Sequence, residues 1–96
     1  MNIVIAPSAR DDLADGFEFY ERQQEGLGNY FLESLFSDIE SLKLYAGIHR
    51  KVFGYHRLLS KRFPYAVYYW TEQQTVFVRG VLDCRRNPRW TRKKLK

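Results

Sequence analysis

From residue 49 onward, basic and aromatic residues interleave: His49-Arg50-Lys51, His56-Arg57, Lys61-Arg62, Arg79, then Arg85-Arg86-Asn87-Pro88-Arg89-Trp90. Guanidinium and ammonium groups in such density attract phosphate or carboxylate partners, and phosphate binding of this kind weakens steeply with salt. His49 and His56 are the side chains whose ordinary pKa suits acid–base chemistry near neutrality. An isolated histidine is also a common half-buried structural residue, so neither is assigned a role on type alone. No spacing of Cys, His and carboxylate builds a metal site. No Gly-rich loop links a strand to a helix, and no cofactor is implied; Gly26-Leu27-Gly28 follows a helix. Cys84, between Asp83 and Arg85, reads as a structural thiol rather than a nucleophile.

The charges are divided along the chain. Residues 1–40 carry nine carboxylates and two cations, a net −7, whereas residues 41–96 carry fourteen Lys or Arg against Glu72 and Asp83, a net +12. Half of those fourteen cations fall between Arg85 and Lys96. Such a division implies one electropositive working end, suited to a polyanion or an acidic partner. Ninety-six residues with 45% hydrophobic and 17% aromatic content make one folded domain, 1–96, with a basic tail from about residue 85. The lone cysteine excludes an internal disulfide and fits a reducing compartment. Met1 to Pro7 lacks the features of a signal peptide, and no apolar run reaches membrane-spanning length. A cytoplasmic location is expected.

These candidate residues need elements to position them. Asn2–Ala6 reads as a strand closed by Pro7, after which Ser8 can cap a helix, with Asp11 and Asp12 in its first turn. Ala9, Leu13, Phe17 and Tyr20 recur at helical spacing, so the first helix runs to about Gln24. Gly26-Leu27-Gly28-Asn29 breaks it. A second helix buries Leu27, Phe31, Leu35, Ile39 and Leu42 and ends near Gly47, giving a helical hairpin. Strands follow at Tyr55–Arg62, Tyr65–Thr71 and Thr75–Leu82; Phe63-Pro64 makes one turn and Glu72-Gln73-Gln74 the other. The expected fold is α+β, in the order β-α-α-β-β-β, with the hairpin on one face of a mostly antiparallel sheet.

Strand alternation points Tyr55, Arg57 and Leu59 one way and His56, Leu58 and Ser60 the other. Arg79 interrupts an apolar strand, so it must reach a sheet edge, a carboxylate or the concave face. Asp12, Asp15, Glu18 and Glu25 read as the solvated face of the first helix. Arg92–Lys96 reads as a solubilising end. Arg85, Arg86, Arg89 and Trp90 read as a working segment stiffened by Pro88, since Trp90 is costly to leave in water.

Three stretches carry a resemblance. The opening Met1-Asn2-Ile3-Val4-Ile5-Ala6-Pro7-Ser8-Ala9-Arg10-Asp11-Asp12-Leu13 with Gly26-Leu27-Gly28-Asn29-Tyr30-Phe31-Leu32 resembles that of the RelE/ParE toxin superfamily. Arg57-Leu58-Leu59-Ser60-Lys61-Arg62-Phe63-Pro64-Tyr65-Ala66-Val67-Tyr68-Tyr69 and Val81-Leu82-Asp83-Cys84-Arg85-Arg86-Asn87-Pro88-Arg89-Trp90 resemble its ParE-like branch. That branch ends in a pattern of the type H-x-R-R-x-P-x-x-W. Here Asp83 stands at the His position and Trp90 comes one residue early, so no role of that His transfers.

The resemblance implies the same β-α-α-β-β-β fold and a toxin of a type II toxin–antitoxin pair. ParE-like members inhibit DNA gyrase; RelE-like members cleave mRNA on the ribosome. The ribonuclease set is poorly kept, with His56 and Leu58 in place of a Lys-x-Lys pair and no Tyr after residue 69. RNA cleavage needs a base, phosphorane-stabilising cations and an acid; His56 with Arg85 is the reduced set on offer. A gyrase-directed toxin is therefore expected, with the ribosome-dependent endoribonuclease second and a non-toxic nucleic-acid-binding module third. The expected target-binding residues are Arg57, Lys61, Arg62, Arg85, Arg86, Arg89 and Trp90. The partner implied is a small, acidic, partly disordered antitoxin in a hetero-oligomer. Its helix would settle on Phe17, Tyr20, Tyr30 and Phe36 and neutralise the surface around Arg57, Arg85 and Trp90.

Overall fold

A computed structural model describes Met1–Lys96. Its elements are β1 (Asn2–Ile5), α1 (Pro7–Gln23), α2 (Leu27–Glu40), α3 (Leu42–Tyr45), β2 (Lys51–Val52), β3 (Tyr55–Leu59), β4 (Tyr65–Glu72), β5 (Thr75–Asp83) and α4 (Pro88–Lys94). The α+β architecture is as expected, with three additions: the two-residue β2, the short α3, and α4 in the tail. The five strands are ordered β1-β5-β4-β3-β2. β1 lies parallel to β5, and the remaining pairs are antiparallel.

Helix α1 starts two residues earlier than the Ser8 cap predicted. Ala6 is extended at the N-cap, and Pro7 occupies the first helical turn, where its missing N–H costs nothing. Ser8 Oγ instead donates to the Arg79 carbonyl (2.9 Å). The Gly26 turn (φ 87°) works because glycine alone tolerates that backbone freely. Glu21 secures it by accepting from the amides of Gly26 (3.0 Å) and Gly28 (2.9 Å). The hairpin then closes tightly: a Cβ on Gly16 would stand 2.5 Å from Phe31 Cζ, and one on Gly28 2.5 Å from Phe17 Cδ2. The second helix stops at Glu40 rather than near Gly47. Ser41 separates it from α3, its hydroxyl donating to the Asp38 carbonyl (2.6 Å).

Alternation along β4 sends Tyr65, Val67 and Tyr69 to the hairpin side, where they join Phe31, Leu35, Val76, Val78 and Val81. Ala66 and Tyr68 face the opposite side with Leu82. That second face is covered by the tail. Leu95 is buried there, with Trp90, Phe53 and Tyr55 packed around it. The expectation of a merely solubilising Arg92–Lys96 is thus corrected: one turn of helix carries Leu95 onto the sheet, and such burial contributes roughly 1.5–3 kcal/mol.

A bulge makes the two faces compatible. Tyr68 pairs with Gly80 but Tyr69 with Val78, leaving Arg79 as the extra residue on β5. The insertion resets the alternation, so Val76, Val78 and Val81 share one face although 78 and 81 are three apart. Arg79 is ejected sideways. Its guanidinium donates to Ser8 Oγ (2.8 Å) and to the backbone oxygens of Lys94 (3.1 Å) and Lys96 (2.8 Å). The residue therefore ties the start of α1 to the end of α4, where a cation also suits the helix dipole.

Candidate interaction surface at the basic end

β5 leads into the Asp83–Asn87 turn, and the site is built on that turn. Asp83 grips Arg85 with both carboxylate oxygens: Nε donates to Oδ1 (3.0 Å), Nη2 to Oδ2 (2.8 Å), and the Arg85 amide also donates to Oδ1 (2.8 Å). Partial burial pushes the Asp83 carboxyl up, but these donors outweigh it and the net pKa is below the usual carboxylate value. The Arg85 pKa is raised in turn, chiefly by the hydrogen bond to Asp83. Arg85 also lies 3.5 Å from the Tyr20 hydroxyl. Burial raises the Tyr20 pKa and pushes that of Tyr65 up to about 12, with the Asp83 charge adding to both. Arg85 is consequently a fixed, half-satisfied cation.

Its neighbours are freer. Asn87 caps α4 by accepting from the Arg89 amide (2.8 Å), and Pro88 supplies the fixed φ of the first turn. Arg86 folds back over Trp90, its guanidinium carbon 4.1 Å from the ring centroid, and Lys94 approaches the same ring at 5.8 Å. A groove of about 350 Å³ runs between α1 and α4, lined by Asp15, Phe19, Asp83, Arg86, Trp90 and Lys94 among others. Lys61 and Arg62 are exposed in the loop between β3 and β4. Arg57 is half-buried on β3 opposite Tyr68, on the face that α4 covers.

Asp12 is a site residue that the sequence reading misplaced. It is buried rather than part of a solvated face, and its Oδ2 accepts from the Val81 amide (3.0 Å). β1 reaches only as far as Val78 along β5, so the carboxylate replaces the missing strand partner at that edge. Burial raises the Asp12 pKa; the Val81 hydrogen bond and Lys94, 3.7 Å away, oppose this. Spacing carried the signal, since Ala9, Asp12, Leu13, Gly16 and Tyr20 lie on one buried stripe.

The two histidines are spent locally. Tyr69 OH accepts from the Gly47 amide (2.9 Å) and lies 2.5 Å from His49 Nδ1, while His56 Nδ1 lies 2.6 Å from the His49 carbonyl. The carbonyl requires a proton on His56 Nδ1, and the Tyr69 hydroxyl is satisfied by donating to a neutral His49. Burial lowers the His49 pKa, and nearby His56 lowers it further. His56 pairs with Tyr69, and Asp83, two residues before Arg85, pairs with Tyr65. Those pairs are four residues apart on β4, about 13 Å at 3.3 Å per residue. The fold does not bring His56 and Arg85 together. Cys84 is exposed as a residue, yet the protein around its thiol withholds water and pushes its pKa up, leaving little thiolate at neutral pH. No three His, Cys, Asp or Glu side chains gather as a metal site, and no helix is long and apolar enough to cross a membrane.

The four helical aromatics are scattered. Tyr20 is buried, stacked on Phe31 with centroids 5.2 Å apart, and Phe17 fills the seam against Gly28. Tyr30 is exposed beside Phe63 (5.5 Å), whereas Phe36 is exposed in a second groove formed with Ile3 and Ile5 of β1. Phe19, exposed at the mouth of the first groove, was not among the candidates; its place off the apolar stripe of α1 is the signal that could have found it.

With strand order, helical hairpin and α4 in place, comparison with solved structures is decisive for the fold. A chain of the structure described as "Chromosomal ParDE TA system from P. aeruginosa" superposes with a TM-score of 0.76, covering 84% of this chain and 92% of that one, at 16% identity. The fold is ParDE-like. No family model and no curated protein sequence matches the chain.

Proposed function

We propose that the chain is the toxin of a type II toxin–antitoxin pair, of the ParE kind, which inhibits DNA gyrase and is held inactive by a cognate antitoxin. The observation carrying this reading is the ParDE-like fold over most of both chains, together with the Arg57–Tyr69 and Val81–Trp90 stretches that resemble ParE-like sequences. The separation of His56 from Arg85 supports it against mRNA cleavage, since a base and a phosphorane-stabilising cation must meet at one phosphate. On this reading Arg86, Arg89 and Trp90 contact the target, with Arg57, Lys61, Arg62 and the clamped Arg85 around them. An antitoxin segment covers the groove between α1 and α4, where Phe19 and Trp90 offer apolar area, and its acidic residues meet Arg86 and Lys94 at the α4 side rather than Asp12, Asp15 and Asp83.

Purified protein is expected to inhibit gyrase supercoiling and to trap a cleavage complex, and the adjacent reading frame to encode a short acidic protein that reverses both. Unimpaired gyrase together with codon-positioned cuts in a toeprinting assay would replace this reading with the ribosome-dependent endoribonuclease.

A further inference from the structure

Of the fourteen cations in residues 41–96, four have carboxylate or backbone-oxygen partners: Lys43 with Glu40, Arg85 with Asp83, Lys94 with Asp12, and Arg79 with backbone oxygens. None of the other ten has a carboxylate within 4.0 Å. Several of these lie in a strip on the α4 side of the sheet. Arg92 stands over Phe53 (5.2 Å) in the turn between β2 and β3, and Tyr55 OH donates to the Leu95 carbonyl (3.3 Å) beside it. Arg57 is two residues further along β3, and Arg86 over Trp90 closes the strip near the end of β5.

The centre of the strip is electrostatically unfavourable in the free protein. The Arg57 amide donates to the Arg50 carbonyl (3.0 Å), one step beyond the Lys51–His56 pair, which sets Arg50 directly opposite Arg57. Like charges placed so on neighbouring strands repel. Arg57 is also half-buried, and the Tyr68 hydroxyl, not an anion, is its nearby hydrogen-bonding group. Such an arrangement is relieved by an external anion bridging the two guanidinium forks.

We infer that this strip binds the sugar–phosphate backbone of duplex DNA without reading sequence. Arginines spaced across two strands and a helix suit a row of phosphates. The neighbouring rings of Phe53 and Trp90 already carry cations on their faces, so they are not open platforms for the unstacked bases of a single strand. The inference does not require the gyrase reading: it needs no enzyme, and although Arg57 and Arg86 belong to both surfaces, Arg50 and Arg92 belong to this strip alone.

The test is fluorescence anisotropy of a short labelled duplex with the full chain, titrated across salt. If about four or five phosphates are neutralised, log K against log salt has a slope of about −4, and affinity falls roughly 250-fold between about 50 and 200 mM salt. Arg50→Gln with Arg57→Gln should make that slope shallower by about 2. Arg50→Gln alone, at an exposed position, should change it by about 1 and keeps the test valid if the double variant fails to fold. The same sequence as a single strand should bind more weakly. Absence of duplex binding at low salt, an unchanged slope in the folded variants, or tighter binding of the single strand or of polyglutamate would each overturn the inference.

Discussion

Replacing Asp12 by Asn and, separately, by Ala isolates one buried hydrogen bond. The Val81 amide is buried at the β5 edge beyond the reach of β1, and Asp12 Oδ2 accepts its proton at 3.0 Å. Asn keeps a carbonyl oxygen at that position; Ala leaves the amide unpaired. Both variants lack the charge, so their difference excludes the Lys94 pair, which is long (3.7 Å) and exposed on the lysine side. An unsatisfied buried donor costs about 1–3 kcal/mol. Asp12→Ala should therefore unfold at lower urea than Asp12→Asn by about 1 M for a domain of this size, or melt roughly 4–8 °C lower per kcal/mol. Equal midpoints for the two folded variants would refute the role given to Asp12. The wild type supplies a second check through pH. Its Asp12 pKa is raised above the ordinary 3.8 by burial, so the fold favours the protonated form. That contribution is complete below the unfolded pKa and is lost as pH rises through the folded one. Wild type should thus lose ground to Asp12→Asn as pH climbs from about 3.8 toward neutrality; the opposite trend would mean that Lys94 and Val81 outweigh desolvation.

Other perturbations follow from the same geometry. Gly16→Ala puts a Cβ 2.5 Å from Phe31 Cζ in the packed aromatic core and should destabilise by about 1–3 kcal/mol in urea unfolding. Arg79→Met severs the links to Ser8, Lys94 and Lys96, so amide exchange across α4 should accelerate and Trp90 fluorescence shift to the red, with β1 to β4 protected as before. His49 has a folded pKa below 6.5, so its contribution to stability is complete above that value and is lost as pH falls through the folded pKa; His49→Gln should flatten urea midpoints measured between about pH 5 and 7. Arg85→Ala with Arg86→Ala should relieve growth arrest on induction without antitoxin, and undiminished arrest by the folded double variant removes both from the target surface.

The legible part of the fold was set by periodicity. The apolar stripes of α1 and α2, the Gly26 turn, and the runs Tyr65–Thr71 and Thr75–Leu82 each obey one local rule, so they were readable residue by residue. What escaped was decided at a distance. Ser8 looks like a cap, yet its hydroxyl faces Arg79, 71 positions away, and Pro7 already starts the helix. Lys93-Lys94-Leu95-Lys96 looks like a frayed end because only its docking on Ala66, Tyr68 and Leu82 gives Leu95 a place to be buried. Asp83 occupies a position where the resembling sequences carry His; nothing local shows that it clamps Arg85 and so changes which arginine of the pair is free to bind. Arg85, Arg86, Arg89 and Trp90 were legible as a working segment stiffened by Pro88, but the helix that Pro88 starts and the folding of Arg86 back over the Trp90 ring were not.

Arg79 connects these separate misreadings, and the bulge is the reason. Were Arg79 to pair regularly instead of bulging, strict alternation from Val76 and Val78 would put Gly80 and Leu82 on the hairpin side and turn Val81 and Asp83 away from it. Asp83 would then leave the side where Tyr20 and Tyr65 lie, Arg85 would lose its clamp, and the Val81 amide would no longer address Asp12. The same insertion pushes the Arg79 guanidinium out to hold the end of α4, while Gly80 leaves room there, since a Cβ would approach Leu95 Cδ2 to 3.3 Å. The bulge at Arg79 thus bears on the helix that carries Trp90, on the carboxylate that immobilises Arg85 and on the buried acid at the sheet edge. Within the proposed interaction surface, Arg86 and Arg89 are left unpaired by carboxylate, beside a neighbour whose charge is already held.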